Sequence, residues 1–275
     1  MIDLHCHIIP GVDDGAPDLS ESLLIAQQLG RAGFETVVAT PHVLEGRNYL
    51  TCQEILEGTR MVNQAIEEAG LKLKILPGAE CYIFPELPRW VKEDKIMTLG
   101  NMKKFLLVEL PMLDVPLYTE KVFFELQVMG ITPILAHPER NKELADTPLR
   151  LVEWANKGVL LQLNLRSLDG RYGEKASQCA QLLLENRLIH CIGSDAHRVM
   201  QENAYQNTLS ILLDAIGKDA YEDITINLPN QVLAGERLEH LREYWLTQYN
   251  RTKKSGFWNN LLTGNLLKRK KPYNI

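Results

Sequence analysis

The sequence predicts an α/β chain wound into a TIM-like barrel of seven β-α units. Three observations carry this. Seven short apolar runs recur along the chain, with helix-like segments between them. The runs lack strict alternation, which suits strands buried on both faces of a parallel sheet. A polar, ligand-type residue closes nearly every run, and in parallel barrels chemistry gathers at the carboxyl ends of the strands. A doubly wound sheet would concentrate such residues at one switch point.

The elements follow in order. "MIDLHCHIIPGVDDG" supplies the first run, with Ile2, Leu4, Ile8 and Ile9 around His5 and His7. Residues 18–32 read as a helix because Leu19, Leu23, Ala26 and Leu29 share one face. "ETVVATPH" ends at His42, a helix is expected over 51–69, and "KLKILPGAE" ends at Glu80. "KKFLLVEL" carries Glu109, a helix is expected over 118–129, and "ITPILAHPER" carries His137. A helix over 148–157 leads to "GVLLQLNL" with Asn164, and one over 174–187 leads to "RLIHCIGSDAH" with Asp195 and His197. Gly33, Gly70, Gly130 and Gly158 stand where a helix would end in a left-handed cap before a strand. Residues 201–217 and 231–248 read as helices completing the outer ring. The barrel is therefore expected over 1–248, with 249–275 as a basic tail outside it. In that tail Trp258, Leu261, Leu262 and Leu266 have helical spacing ahead of "KRKK". It is expected to be a solvated tail, with contact to an anionic membrane surface or an acidic partner as the alternative.

The bulk composition narrows the function classes. At 275 residues and 45% hydrophobic, the chain can bury a large core. A net charge of −5 argues against a general nucleic-acid binder. No stretch approaches the ~18–20 apolar residues of a membrane span, and the N-terminus lacks a basic start followed by an apolar leader. The 5 cysteines are odd in number and scattered, without a C-x-x-C pair, so a reduced, cytoplasmic setting is expected.

His5 and His7 are two residues apart. On a strand both side chains take one face, with Cys6 on the other; on a helix they would diverge by about 200°. The strand makes the pair a chelate. One aspartate of Asp13-Asp14, which spacing alone does not choose between, joins His42, Glu80, Glu109, His137, Asp195 and His197 at or just past the ends of runs. Five of the 7 histidines occupy such positions; His190 lies within a run and reads as structural, and His240 receives no role. Any one of these residues is more ordinarily a hydrogen-bonded structural group. Their recurrence points to a metal cluster. Nitrogen and oxygen donors suit Mn²⁺, Fe²⁺ or Zn²⁺, and nine donors can hold two or three ions.

Such a cluster lowers the pKa of bound water from roughly 15.7 toward 7 and clamps the oxygens of a phosphoryl transfer. Arg140, in "HPER", would bring a guanidinium whose planar fork grips phosphate; a salt bridge to Glu139 or Glu143 is the plainer alternative. A cysteine phosphatase loop is absent: from Cys191 to Arg198 six residues intervene instead of five. A G-x-S-x-G elbow, a P-loop and a GxGxxG turn are absent as well.

"DLHCH", "DDG", "TPH", "PGAE", "VEL", "AHPER" and "SDAH", in this order over residues 1 to about 245, resemble the PHP superfamily of metal-dependent phosphoesterases. Within it the chain resembles the bacterial tyrosine-protein phosphatases of capsule and exopolysaccharide operons, the CpsB/YwqE type. The resemblance implies a distorted barrel of the PHP type. It also implies a trinuclear site, usually active with Mn²⁺, built from His5, His7, Asp14, His42, Glu80, Glu109, His137, Asp195 and His197. It favours Asp14 over Asp13 and gives Arg140 the substrate phosphate. The implied substrate is phosphotyrosine in the tail of a tyrosine autokinase that controls polysaccharide export. Relatives often carry a second arginine several residues beyond the SD-x-H motif; here Arg198 is immediately adjacent, so it either substitutes or that phosphate contact is missing. Two alternatives stand beside this one: the same site acting on a small phosphate ester such as histidinol phosphate, and a non-catalytic, metal-stabilised docking scaffold.

Overall fold

The computed structural model describes residues 1–46 and 49–236. The expected tail over 249–275, with its membrane or partner contact, lies outside the described residues, as does His240. The strands are β1 (Ile2–Cys6), β2 (Thr36–Ala39), β3 (His42–Val43), β4 (Lys74–Pro77), β5 (Glu80–Tyr82), β6 (Phe105–Glu109), β7 (Thr132–Ala136), β8 (Leu160–Asn164) and β9 (Cys191–Gly193).

Every pairing is parallel. One ladder runs β1-β2-β4 and the other β3-β5-β6-β7-β8-β9. Two of the expected runs are each split: Pro41 has no N–H to continue the ladder between β2 and β3. Between β4 and β5 the chain passes so near its neighbour that a Cβ on Gly78 would lie 2.7 Å from Val38 Cγ1. Because β2 leads into β3 and β4 into β5, the two ladders form one curled sheet of seven strand positions, the TIM-like arrangement expected. Its ends meet just past β9. Asp195 N donates to His5 O at 2.8 Å, His7 N donates to Ala196 O at 3.0 Å, and Cys6 and Ala196 form a parallel bridge.

Apolar periodicity marks six of the helices, those within 18–32, 51–69, 118–129, 148–157, 174–187 and 201–217. In chain order the helices are α1 (Leu19–Arg31), α2 (Cys52–Glu68), α3 (Leu87–Lys92), α4 (Thr119–Val128), α5 (Lys142–Asp146), α6 (Leu149–Asn156), α7 (Glu174–Glu185), α8 (Ala204–Ile216), α9 (Lys218–Glu222) and α10 (Leu228–Leu233). Asp18 caps α1 through Glu21 N, and Thr51 with Glu54 forms a capping box on α2. The four glycines expected to end helices do take positive φ, from +67° at Gly70 to +95° at Gly33. Ile25, Ala26 and Leu29 of α1 and Ile55, Val62 and Ile66 of α2 are buried in the common core.

Two expectations differ from the structure. Among the described residues the helix expected over 231–248 begins at Leu228 and ends at Leu233, ahead of Gly235 at φ +68°; residues 237–248 lie outside the described residues. Residues 218–227, which no expected helix covers, are helical, and a π turn over Asp223–Asn227 runs into α10. Pro229 stands in the first turn of α10, a position where proline is tolerated. The short α3 carries too few turns to show a period. No helix among the described residues is long and apolar enough to cross a membrane.

Along β1, Leu4 and Cys6 pack into the apolar core while Asp3, His5 and His7 join a buried polar column with Gln162 and Ser194. The column is tight: a Cβ on Gly193 would lie 2.3 Å from Gln162 Nε2 and 2.6 Å from His5 Cβ, so only glycine fits there.

Candidate metal centre

Parallel strands deliver their carboxyl ends to one mouth of the barrel, and the nine donor residues meet there. His5 is the last residue but one of β1 and His7 follows the strand; His42 and Glu80 open β3 and β5; Glu109 closes β6; His137 follows β7; Asp195 and His197 follow β9. Asp14 reaches in from the loop after β1. Glu80 is the hub. Its Oε2 stands 3.1 Å from His5 Nε2, 3.3 Å from His7 Nε2 and 3.0 Å from His42 Nδ1. Its Oε1 lies 3.0 Å from His137 Nε2. Asp195 Oδ1 is 3.4 Å from His5 Nε2 and 3.3 Å from His7 Nε2. Glu109 approaches His42 Nδ1 at 3.7 Å and His137 Nε2 at 3.8 Å. Asp14 Oδ1 lies 3.5 Å from His42 Nε2 and 3.3 Å from His197 Nε2.

These donors form four overlapping groups whose ligand atoms lie within 4.8 Å of one another: His7-Asp14-His42-His197, His5-His7-Glu80, His5-His137-Asp195 and His42-Glu80-Glu109. The chemistry of the set fits cations. Gln162 Nε2 donates to Leu163 O at 2.7 Å, which turns Gln162 Oε1 toward His5 Nδ1 at 3.0 Å. His7 Nδ1 faces Asp13 Oδ2 at 2.8 Å. Each Nδ1 therefore carries its ring's proton in the neutral imidazole, and both Nε2 atoms present lone pairs. Those two Nε2 atoms face each other at 3.1 Å, beside two carboxylates. Lone pairs cannot bond to one another; a positive ion between them satisfies all four groups. Glu80 Oε2 is also buried with no aligned hydrogen-bond partner, a cost that coordination removes.

The electrostatics agree. Burial and the neighbouring Glu80 carboxylate push Glu109 up to about 8. Burial alone would pull His5 down, yet Glu80 and Asp195 carry it up to about 9. The carboxylates thus favour positive charge beside His5, as a proton or as a metal ion in its place.

Arg140 reaches the same mouth. Its Nη1 donates to Asp195 Oδ2 at 2.5 Å, and its guanidinium lies over the Tyr172 ring at 4.1 Å. The plainer alternative for Arg140 does not occur. Glu139 is buried and accepts from Asn164 N and Ser167 Oγ, and Glu143 pairs with Arg150. Arg198 does not reach the mouth: its Nη1 donates to the carbonyls of Asp14, Gly15 and His197, tying two ligand loops together from outside. An open cavity of about 500 Å³ stands over the donors, lined on its outer side by Leu44, Tyr82 and Met112.

The first 234 residues match the family described as capsular polysaccharide synthesis, CpsB/CapC. The chain belongs to the CpsB/CapC family. Tyrosine-protein phosphatase YwqE of Bacillus subtilis is 35% identical over 228 residues, covering 82% of this chain and 89% of that one. Tyrosine-protein phosphatase CpsB of Streptococcus agalactiae is 31% identical over 204 residues, covering 72% and 84%. A crystal structure from work on YwqE of Bacillus subtilis and CpsB of Streptococcus pneumoniae, described as metal-dependent tyrosine phosphatases, superposes with a TM-score of 0.81 at 33% identity. The superposition covers 86% of this chain and 96% of that one.

Within this CpsB/CapC barrel, sequence reasoning left three residues unused. Asp13 was passed over for Asp14, yet the two do different things. Asp14 is 71% exposed in its side chain and faces the outer donor group. Asp13 accepts from His7 Nδ1, from His42 N at 3.0 Å and from Gly15 N at 2.9 Å. Gln162 orients His5 as described; a polar residue inside "LLQLN" was its signal. Asn164 closes a run but carried no role; its Nδ2 donates to Asp195 Oδ2 at 2.8 Å.

Proposed function

We propose that this chain is a metal-dependent protein-tyrosine phosphatase of capsule or exopolysaccharide synthesis, working in the cytoplasm on the phosphorylated tail of a tyrosine autokinase. Mn²⁺ is proposed as the native ion, two or three per chain. The observation that carries the reading is the convergence of nine nitrogen and oxygen donors beside Arg140 under an open cavity. His5, His7, Glu80, His137, Asp195 and Glu109 would hold the inner ions; His7, Asp14, His42 and His197 would hold the outer one. Divalent ions bound there supply hydroxide at neutral pH and neutralise phosphate oxygens.

The chain's own residues do the rest. Gln162 and Asp13 hold the Nδ1 protons of His5 and His7, so that their Nε2 atoms are the ones that would face a metal ion. Arg140, flattened on Tyr172 and anchored to Asp195, presents a pre-set guanidinium to the phosphate. Leu44, Tyr82 and Met112 offer the ester's aromatic ring an apolar wall. Cysteine has no part in it. All five thiols are unpaired, and burial pushes those of Cys6, Cys81 and Cys191 upward, away from the thiolate.

The test is hydrolysis of a phosphotyrosine peptide by the purified chain. EDTA should abolish it, Mn²⁺ should restore it, and thiol alkylation should leave it intact. Hydrolysis that persists after complete chelation refutes the reading.

A further inference from the structure

The loop after β6, "PMLDVPLY", carries apolar side chains outward at the catalytic mouth. Leu117 is 101% exposed and Leu113 71%, the most exposed large apolar side chains among the described residues. Solvated leucines usually sit on loose segments, but this backbone is pinned. Asn141 Nδ2 donates to Pro111 O at 2.6 Å and Asp114 O at 2.9 Å. Lys142 N donates to Met112 O at 2.8 Å, and Val115 N donates to Glu143 Oε2 at 2.9 Å. Val115 is buried between the two outward leucines. The pinning groups follow Arg140 directly in the chain, and Met112, next to Leu113, lines the catalytic cavity. The apolar rim is thus ordered and continuous with the site.

We propose that this rim docks the polypeptide on either side of the phosphotyrosine, through apolar side chains that cover Leu113 and Leu117. The proposal rests on the phosphatase reading above and adds a sequence preference to it. An ordered apolar surface in water is disfavoured until something covers it, and through Met112 this one adjoins the cavity in which a phosphotyrosine would sit, with polypeptide on either side of it.

The experiment compares the full chain with its L113S/L117S variant, both loaded with Mn²⁺. Three substrates are used: a phosphotyrosine peptide flanked by leucines, the same peptide flanked by glycines, and p-nitrophenyl phosphate. The wild type should show a KM about tenfold lower for the leucine peptide, the factor that ~1.4 kcal/mol sets. The variant should lose this preference while its KM for p-nitrophenyl phosphate stays unchanged. Fluorescence anisotropy of the labelled peptides reads the same preference without turnover, so a chain that hydrolyses nothing still tests the rim. Equal binding of the two peptides by the wild type overturns the proposal. A wild-type dimer that the variant converts to monomer in sedimentation gives the surface to a second copy instead. Pelleting with anionic phospholipid vesicles that the variant loses gives it to a membrane.

Discussion

Asp13→Ala tests whether the donor geometry depends on a residue outside the four donor groups. In the structure Asp13 holds His7 by its ring, His42 by its backbone and the loop bearing Asp14 through Gly15. Burial pushes its carboxyl upward, but the bonds to His7 outweigh this and hold it down to about 2. It is ionised at any working pH, so the bond from His7 is charge-assisted. Such a bond contributes about 1.5–3 kcal/mol. At ~1.4 kcal/mol per factor of ten, its loss should weaken metal binding by roughly ten- to a hundredfold, the range found when a ligand's orienting partner is removed. The assay is competition for Mn²⁺ against a fluorescent chelator, with elemental analysis after dialysis at limiting metal. Asp13→Asn keeps a carbonyl oxygen that can accept from His7 and should recover part of the affinity. Wild-type affinity within twofold in a folded Asp13→Ala chain would refute the argument, because His7 would then need no orienting partner.

Arg140→Lys keeps the charge but loses the planar fork. KM for p-nitrophenyl phosphate should rise about tenfold at unchanged metal content, and an unchanged KM removes Arg140 from phosphate binding. Gly15→Ala would place a Cβ 2.3 Å from His7 O and 2.5 Å from His7 Cβ. The backbone must shift, so the variant should lose stability by about 1–3 kcal/mol and bind fewer ions, read by thermal unfolding and elemental analysis. Burial holds His190 down to about 3, with its Nδ1 accepting from Leu161 N. Below pH 6.5 the unfolded chain takes up a proton that the folded chain refuses, so the stability present above 6.5 is lost as pH falls toward 3. Between pH 7 and pH 5 the wild type should lose about 2 kcal/mol more than His190→Gln in urea unfolding; equal losses contradict this.

The barrel was legible because four of the units repeat the same grammar: a helix, a positive-φ glycine, a buried run and a polar residue at or near its carboxyl end. His5 and His7 were readable as a chelate because a strand's period of two puts them on one face. Asp13 and Asp14 lie in a loop, where no period applies. Neighbouring side chains there diverge according to backbone turns, so one orients a ligand and the other faces the outer donor group. Gln162 was hidden for the opposite reason. Its strand is buried on both faces, so a single polar residue has no exposed face to signal, and its partner lies 157 positions away in sequence. Arg198 showed its chemistry but not its direction. Only the folded chain places it against three carbonyls instead of in the cavity.

The donor cluster and the barrel's closure use the same residues. Asp195 N donates to His5 O, while Asp195 Oδ1 faces His5 Nε2 at 3.4 Å. Asp3 Oδ1 accepts from both His5 N and Ser194 N, one on each side of the join. Asp195 can serve both ends because its φ of +49° turns the carboxylate inward while the N–H still points across the seam; His137, at φ +30°, makes a similar turn after β7. Non-glycine residues in this region store strain, which persists only where the surroundings impose it. Here the surroundings are a seam with little ladder of its own and a set of facing lone pairs. A cation bound by His5 and Asp195 would bridge the two ends of the sheet, so metal affinity and barrel closure are linked by mass action. The most buried donors, His5, His7 and Glu80, therefore belong as much to the architecture as to the chemistry, whereas Asp14, His42 and His197 at the outer edge can be altered with less effect on the fold.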